Sequence, residues 1–357
     1  MQNDIFEPEF FDLNNPADRE RLDKLKRNNA HLRVFDEIES QLHELMKIRN
    51  PDRKFSTEDY RTLTGNHLSG TPAEQYGLWV YYPWSGALVH LLGKDEFLEV
   101  RTNRNRNKVT AEEQHILRTK KVGIAGLSVG QSIALTMVME RICGEIRIAD
   151  FDTAELSNLN RIRTGVHNLG VRKVIIAARE IKEIDPYMVV RIFPDGLIAD
   201  TMEEFFGTDD DQLDLFVEVC DSIQVKIDAR QRSRSLHIPV VMDTNDRGMI
   251  DIERFDLEPE REIFHGKLTA FYEQGDTIIV TDINRQDVVM SILDYDLLSA
   301  RMKSSLTEIG KTISTWPQLA SSVVLGGAAT TDISRRILLG QHQLSGRFYI
   351  DFEELIS

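Results

Sequence analysis

The stretch Lys121-Val122-Gly123-Ile124-Ala125-Gly126-Leu127-Ser128-Val129-Gly130 decides the fold. Its first half reads as a short buried strand at 121–126, its glycines close a tight turn, and Gln131 to Met139 then reads as a helix. Outward from it the same alternation continues. Apolar strands are expected at 145–150, 189–193, 214–219 and 239–242, with helices near 129–143, 171–184 and 223–236 between them. Short strands alternating with helices call for a mostly parallel sheet with helices on both faces. Residues 112–260 are therefore expected to form a Rossmann-like α/β domain.

Residues 1–111 read differently. Pro16 to Arg49 carries Leu22, Leu25, Leu32, Phe35, Ile38, Leu42, Leu45 and Met46 at helical intervals, and Asn50-Pro51 ends the run, so one or two amphipathic helices are expected. Gly77 to Leu92 reads as a hairpin turning at Pro83-Trp84-Ser85-Gly86. Residues 261–357 carry a helix expected over Asp287 to Lys311, a small-residue segment Ala320 to Leu339 and a strand Arg347 to Phe352, and should complete the core. The run Asp209-Asp210-Asp211 is expected in a solvated loop.

At 357 residues the chain is long enough for two or three domains, and 41% hydrophobic with 28% charged residues excludes disordered and collagenous classes. With 43 basic and 58 acidic residues the net charge is -15, which disfavours nucleic acid and anionic membranes as partners. Two cysteines, Cys143 and Cys220, exclude a disulfide framework and a four-thiolate zinc site. The start of the sequence is acidic, with Asp4, Glu7 and Glu9, and no apolar run reaches 18 residues, so a cytoplasmic protein is expected.

The turn Gly126-Leu127-Ser128-Val129-Gly130 admits two chemical readings. Small residues before a helix N-terminus let the backbone approach a phosphate, although the turn is one residue short of G-x-G-x-x-G and has Ser128 at the middle glycine. The same five residues match G-x-S-x-G, the elbow that presents a nucleophilic serine, and His237, His265 and His342 lie downstream. The carboxylate of Asp150, 24 residues after Gly126, favours a nucleotide, since it ends the second strand where ribose hydroxyls would lie. A nicotinamide dinucleotide would suit that acid as well.

The next residues are more specific. Asp150-Phe151-Asp152-Thr153-Ala154-Glu155-Leu156-Ser157-Asn158-Leu159-Asn160-Arg161, followed by Gly170-Val171-Arg172-Lys173, resembles the ThiF/MoeB/HesA superfamily of E1-like, ubiquitin-activating-type adenylyltransferases. The resemblance spans roughly residues 100–352 and includes Asp221-Ser222, the small-residue segment around Gly326-Gly327, and Arg101-Thr102-Asn103-Arg104-Asn105, which looks like the family's R-x-x-R-Q. It implies that ATP is bound along Gly126, Ser128 and Gly130, with Asp150 on the ribose, Arg161 and Lys173 on the phosphates and Mg²⁺ on Asp221. Asn158 and Asn160 would orient phosphates or merely hold a turn. It implies a homodimer in which Arg104 reaches the partner subunit's ATP. The activity implied is adenylation of a carboxylate, such as the C-terminus of a ubiquitin-like or sulfur-carrier protein or of a peptide, with release of pyrophosphate.

The residue types suit that chemistry on independent grounds. A carboxylate attacking the α-phosphorus meets like charge, so a forked arginine, a point-charge lysine and a hard cation on an oxygen ligand must neutralise it. Each residue also has a plainer role open to it. Asp150 could cap its turn, Arg161 and Lys173 could be surface ion-pair partners, and Asp221 could cap the helix beginning near Ile223.

The chain departs from many family members in having no C-x-x-C pairs, which points to the zinc-free branch. That branch includes a tRNA threonylcarbamoyladenosine dehydratase, an alternative that the net charge of -15 disfavours. Met242 to Phe264 contains no cysteine for a thioester relay, and Cys220, ending an apolar strand, is expected to be packing. Asp243-Thr244-Asn245-Asp246-Arg247-Gly248 is a candidate for contact with the acyl substrate or acceptor. Related sequences are also joined to nitroreductase-like domains, so a redox partner is conceivable.

Overall fold

Val122, Ile124, Ile146, Ile148, Val217, Val240 and Val241 have no exposed surface, as strands covered on both faces require. They belong to the larger of two units in a computed structural model that describes residues 4–273 and 277–356. One unit comprises residues up to Ala111 with Lys182–Tyr187; the other comprises Glu112–Ile181 with Met188 onward, so residues on both sides of 260 share one body.

In the first unit, β1 (Glu9–Phe11), α1 (Pro16–Asn28), β2 (Arg33–Asp36), α2 (Ile38–Arg49), α3 (Thr57–Leu68), β3 (Leu78–Tyr82), β4 (Ala87–Leu91) and α4 (Lys94–Thr102) build a sheet of order β1-β3-β4-β2 with helices. The hairpin pairs Leu78 with Leu91 and Tyr82 with Ala87. Its alternation is two-sided. Trp79 and Tyr81 pack with Phe11, Leu22 and Leu88, whereas Val80 and Tyr82 pack with Ala87. Between the two helices of Pro16 to Arg49 the chain forms the exposed edge strand β2, which the helical spacing did not disclose. Pairing with the hairpin imposes it: Arg33 N–H donates to Gly86 O at 2.9 Å, and β2 runs parallel to β4.

Helix α5 (Ala111–Leu117) leads into the second unit, which holds a seven-stranded sheet of order β11-β10-β9-β8-β5-β6-β7. Strands β5 (Lys121–Ala125), β6 (Glu145–Ala149), β7 (Val189–Phe193), β8 (Leu215–Glu218) and β9 (Val240–Asp243) are parallel, linked by α6 (Gly130–Glu140), α7 (Lys173–Ile184), α8 (Ala199–Phe206) and α9 (Ile223–Ser235). The expected Rossmann-like α/β fold is what forms. Because β6 and β7 lie on one side of β5 and β8 and β9 on the other, strand order reverses beside β5, opening a crevice at the strand ends. The Asp209–Asp211 run forms a turn in which Asp211 accepts from the buried Arg147 at 2.6 Å.

Besides β2, and the helix α8 that was not expected between β7 and β8, three elements differ from expectation. The segment after β9 turns back as β10 (Met249–Glu253), antiparallel to β9. The single helix over 287–311 is instead α10 (Arg285–Leu293) and α11 (Ala300–Leu306). Asp294 adopts φ 60° between them and pairs with Lys267, and Ser299 starts the second helix by accepting from Met302 N–H. After α12 (Ala320–Leu338), the last strand is only β11 (Gly346–Tyr349), because Asp351 caps α13 (Phe352–Leu355).

Candidate functional site

At the end of β5 the chain passes so close to β8 that only glycine fits. Gly126 has φ +91°, and a Cβ there would sit 2.5 Å from Val219 O. Gly130 opens α6 beneath this turn, where a Cβ would meet Ile124 at 2.8 Å. The turn is locked to β6 by Asp150, whose Oδ2 accepts Leu127 N–H at 2.6 Å and whose Oδ1 accepts Asp152 N–H at 2.8 Å. Burial raises the Asp150 carboxyl above its ordinary range, with Lys173 and those two N–H groups opposing.

Lys173 is the first residue of α7, is 7% exposed, and its Nζ donates to Asp152 Oδ2 at 2.7 Å. An ammonium this buried is not a surface ion-pair partner. Asp221 follows β8 and is exposed. It does not cap α9, because Ser222 does, accepting from Val225 N–H at 3.5 Å. Asp150, Asp152, Lys173 and Asp221 line one hollow of about 320 Å³ with Gly126 and Ser128, its apolar walls including Phe151, Leu197, Ile198 and Val225.

A second hollow of about 340 Å³ adjoins it, with Val219, Cys220 and Asp221 lining both. Its other polar residues are Arg161, Lys226, Asp243, Thr244, Asn245, Arg285, Thr315 and Gln318, and Trp316 forms part of its wall. Arg161 is oriented by three acceptors: Nε donates to Ser128 Oγ at 2.8 Å, and Nη1 to Asn160 Oδ1 at 2.9 Å and Ser157 O at 3.3 Å. Desolvation lowers its proton affinity and Asp221 acts in the opposite sense.

Two sequence candidates act on the backbone. Asn158 Oδ1 accepts Glu155 N–H at 3.0 Å and holds the turn Leu156–Asn160 from which Arg161 projects, and Asn160 Nδ2 donates to Gln318 O at 2.9 Å. Asn158 and Gly130 line neither hollow. Arg104 is exposed on the turn Asn103–Asn105 of the first unit.

The Ser128 hydroxyl accepts from an arginine, where a serine nucleophile would need a base. His265 is engaged elsewhere, with Asp251 and Arg261. Burial pushes the Cys220 thiol up, so it is not a ready nucleophile.

A buried ionic network beneath the site escaped sequence reasoning. Glu218, fully buried, accepts Cys220 N–H at 2.9 Å, Lys226 Nζ at 2.9 Å and Arg230 Nη1 at 2.5 Å, and Arg230 Nε donates to Glu253 at 2.7 Å. Burial alone would raise the Glu218 carboxyl, but Lys226 and Arg230 outweigh it and the net direction is down. The network fixes the backbone that carries Asp221. Its only signal in the sequence was a glutamate inside an apolar strand.

Among the described residues no group of three or more His, Cys, Asp and Glu could hold a metal by itself. A single exposed carboxylate such as Asp221 fits Mg²⁺, which commonly takes one or two protein carboxylates and completes its shell with substrate oxygens and water.

The model of the ThiF family matches residues 102–287, slightly more than half the sequence. The chain belongs to the ThiF family. A Mycobacterium tuberculosis (strain CDC 1551 / Oshkosh) protein described as uncharacterized protein MT1398 is 43% identical over 278 residues, covering 78% of this chain and 38% of that protein. The chain thus spans well under half the length of that relative. Similar solved structures include PaaA (19% identity, 71% and 80% of the two chains, TM-score 0.46). Escherichia coli tRNA N6-threonylcarbamoyladenosine dehydratase TcdA is another (16%, 68% and 95%, TM-score 0.47), and E. coli MccB with MccA-N7isoASN a third (14%, 85% and 81%, TM-score 0.45). Likenesses this distant carry no argument about function. No helix among the described residues is long and apolar enough to cross a membrane.

Proposed function

We propose that this ThiF-family chain binds Mg-ATP in the first hollow and a carboxylic acid in the second, and joins them as an acyl-adenylate with release of pyrophosphate. What carries the reading is convergence. Asp150, Arg161, Lys173 and Asp221, drawn from four places in the sequence, border two adjoining hollows at the point where strand order reverses. Asp150 takes the ribose hydroxyls, Lys173 and Arg161 take phosphate oxygens, and Asp221 holds Mg²⁺, which would offset the charge of the departing pyrophosphate. A carboxylate oxygen bonds to the α-phosphorus as the bond to the bridging oxygen breaks, so charge shifts toward the cations without any covalent role for the protein.

The acid we favour is the C-terminus of a ubiquitin-like or sulfur-carrier protein or of a peptide. We further propose a cytoplasmic homodimer in which Arg104 serves the partner subunit's nucleotide. A tRNA nucleoside is the weaker alternative, given the net charge of -15. The test is ATP–pyrophosphate exchange with radiolabelled pyrophosphate, Mg²⁺ and a panel of small proteins and peptides with free C-termini. Exchange that depends on one of these acids is expected. Exchange with none, alongside dehydration of threonylcarbamoyladenosine-bearing tRNA, would favour the alternative.

A further inference from the structure

We propose that strand β2 pairs antiparallel with β2 of a second copy of this chain, joining their two four-stranded sheets into one, in the register that sets Phe35 opposite its own counterpart. This contact uses no residue of either hollow and stands apart from the proposed dimer in which Arg104 serves its partner.

Strand β2 is an edge of its sheet, and Arg33, Val34, Phe35 and Asp36 are all exposed. Val34 is 51% and Phe35 47% exposed, and as neighbours on a strand they lie on opposite faces. At the other edge, Phe11 of β1 is buried. A helix laid on one face would cover one of the two side chains, whereas a further strand flanks both. An edge of this kind, with neither proline nor glycine in it, is open to strand addition.

The hydrogen-bond phase fixes the register. Arg33 N–H donates to Gly86 O at 2.9 Å, and β2 runs parallel to β4 with Arg33 beside Ala87, so Arg33 and Phe35 turn their backbone groups toward β4. Val34 and Asp36 turn theirs outward. Two identical antiparallel strands related by a two-fold axis must set one residue opposite itself. Centred on Phe35, Val34 of each copy faces Asp36 of the other, and the outward N–H and C=O groups of both residues are paired. Centred on Val34, Asp36 would face Leu32, whose N–H is already given to Asn29 O at 3.3 Å. Centred on Asp36, two carboxylates would oppose each other.

The side chains agree with that register. On the face of Phe35 it brings the two phenyl rings together and sets Arg33 opposite Glu37 of the other copy on both sides of the axis, an aromatic pair flanked by opposite charges. Glu37 directly follows the strand and is exposed, and Arg33 already lies beside Phe35, its guanidinium carbon 5.9 Å from the ring centroid. A seam this short belongs with weak, transient interfaces, so the pairing is read at high concentration.

The first test makes Phe35→Cys and Val34→Cys separately in the full chain and oxidises both. Facing Cα atoms in a non-hydrogen-bonded antiparallel pair are about 4.5 Å apart, within reach of a disulfide. Val34 and its counterpart are two residues out of step, beyond the roughly 7 Å that a disulfide spans. The Phe35 variant should give a covalent dimer on a non-reducing gel; the Val34 variant and the wild type, with its own Cys143 buried, should not. No covalent dimer of the Phe35 variant, or one formed as readily by either control, overturns the proposal. The second test is light scattering over a concentration series up to about 0.5 mM. Arg33→Glu and Glu37→Arg should each weaken association about 10-fold, and the double variant should restore it. If the chain also pairs through another face, the single variants should halve the mass of the particle instead of leaving monomer. Single variants that associate like the wild type, a double variant no better than the singles, or a wild type of monomer mass throughout overturns the proposal.

Discussion

Replacing Asp243 by Asn should stabilise the protein at pH 8 and destabilise it near pH 4. The folded protein holds this carboxyl at about 7 against an ordinary 3.8, because burial penalises the charge and only Asn245 N–H opposes it. A folded-state value above the unfolded one means that the native chain keeps a proton the unfolded chain releases. Stability from this group is therefore greatest below about pH 4, falls as pH rises, and is fully lost above pH 7. A difference of about 3 units at 1.36 kcal/mol each is a cost of about 4 kcal/mol at pH 8. Asn fills the same seat against Gly326 without the charge, and its unpaired amide returns about 1–3 kcal/mol of that gain. The net is about 1–3 kcal/mol, or a melting temperature higher by about 5 °C in a unit of this size. Thermal melts of both proteins at pH 5, 6, 7 and 8 read it directly. A gap that does not widen with pH, or a variant less stable than the wild type at pH 8, would refute the reasoning.

Ser128→Ala should keep ATP-driven activity within about 10-fold, since the hydroxyl only orients Arg161, and fluorophosphonate should label neither protein; abolished activity together with wild-type labelling would restore the hydrolase reading. Gly126→Ala should lower stability by about 2 kcal/mol or more in urea titration, because its Cβ would meet Val219 O at 2.5 Å with φ +91°. Glu218→Gln should cost about 3–5 kcal/mol, since it strips the compensating charge from the buried Arg230 and the half-buried Lys226; a neutral effect by denaturant titration would show the network to be dispensable. If Arg104 serves the partner subunit, mixing inactive Arg104→Ala and Lys173→Met proteins should restore about a quarter of wild-type exchange through mixed dimers; no recovery under conditions that allow subunits to exchange would place Arg104 outside the site.

The central sheet was legible because β-branched residues such as Val122, Ile124, Ile146 and Ile148 cluster where burial on both faces demands them. Asp150 drew attention by its place at a strand end, and Arg161, Lys173 and Asp221 by the resemblance of their segments to the ThiF family; the structure sets the four around two adjoining hollows. What could not be read depended on distant partners. Strand β2 exists because Gly86 accepts from Arg33, and the long helix over 287–311 breaks where Asp294 pairs with Lys267 and Ser299 bonds Asp246. Glu218 and Arg230 were hidden for a similar reason: each reads as a surface charge until the other is seen beside it. Asn158 shows the limit in the opposite sense, since a residue suited to phosphate contact spends its oxygen on its own turn.

The central claim is that the opposed charges at the ends of β5, β6 and β8 exist to hold the phosphates of a nucleotide. Calorimetric titration of ATP into the wild type and into Lys173→Met, with and without Mg²⁺, tests it most directly. The account predicts Mg²⁺-dependent binding that weakens at least about 100-fold when the Lys173 ammonium is lost. Equal affinity in the two proteins, or binding of NAD with none of ATP, would contradict it.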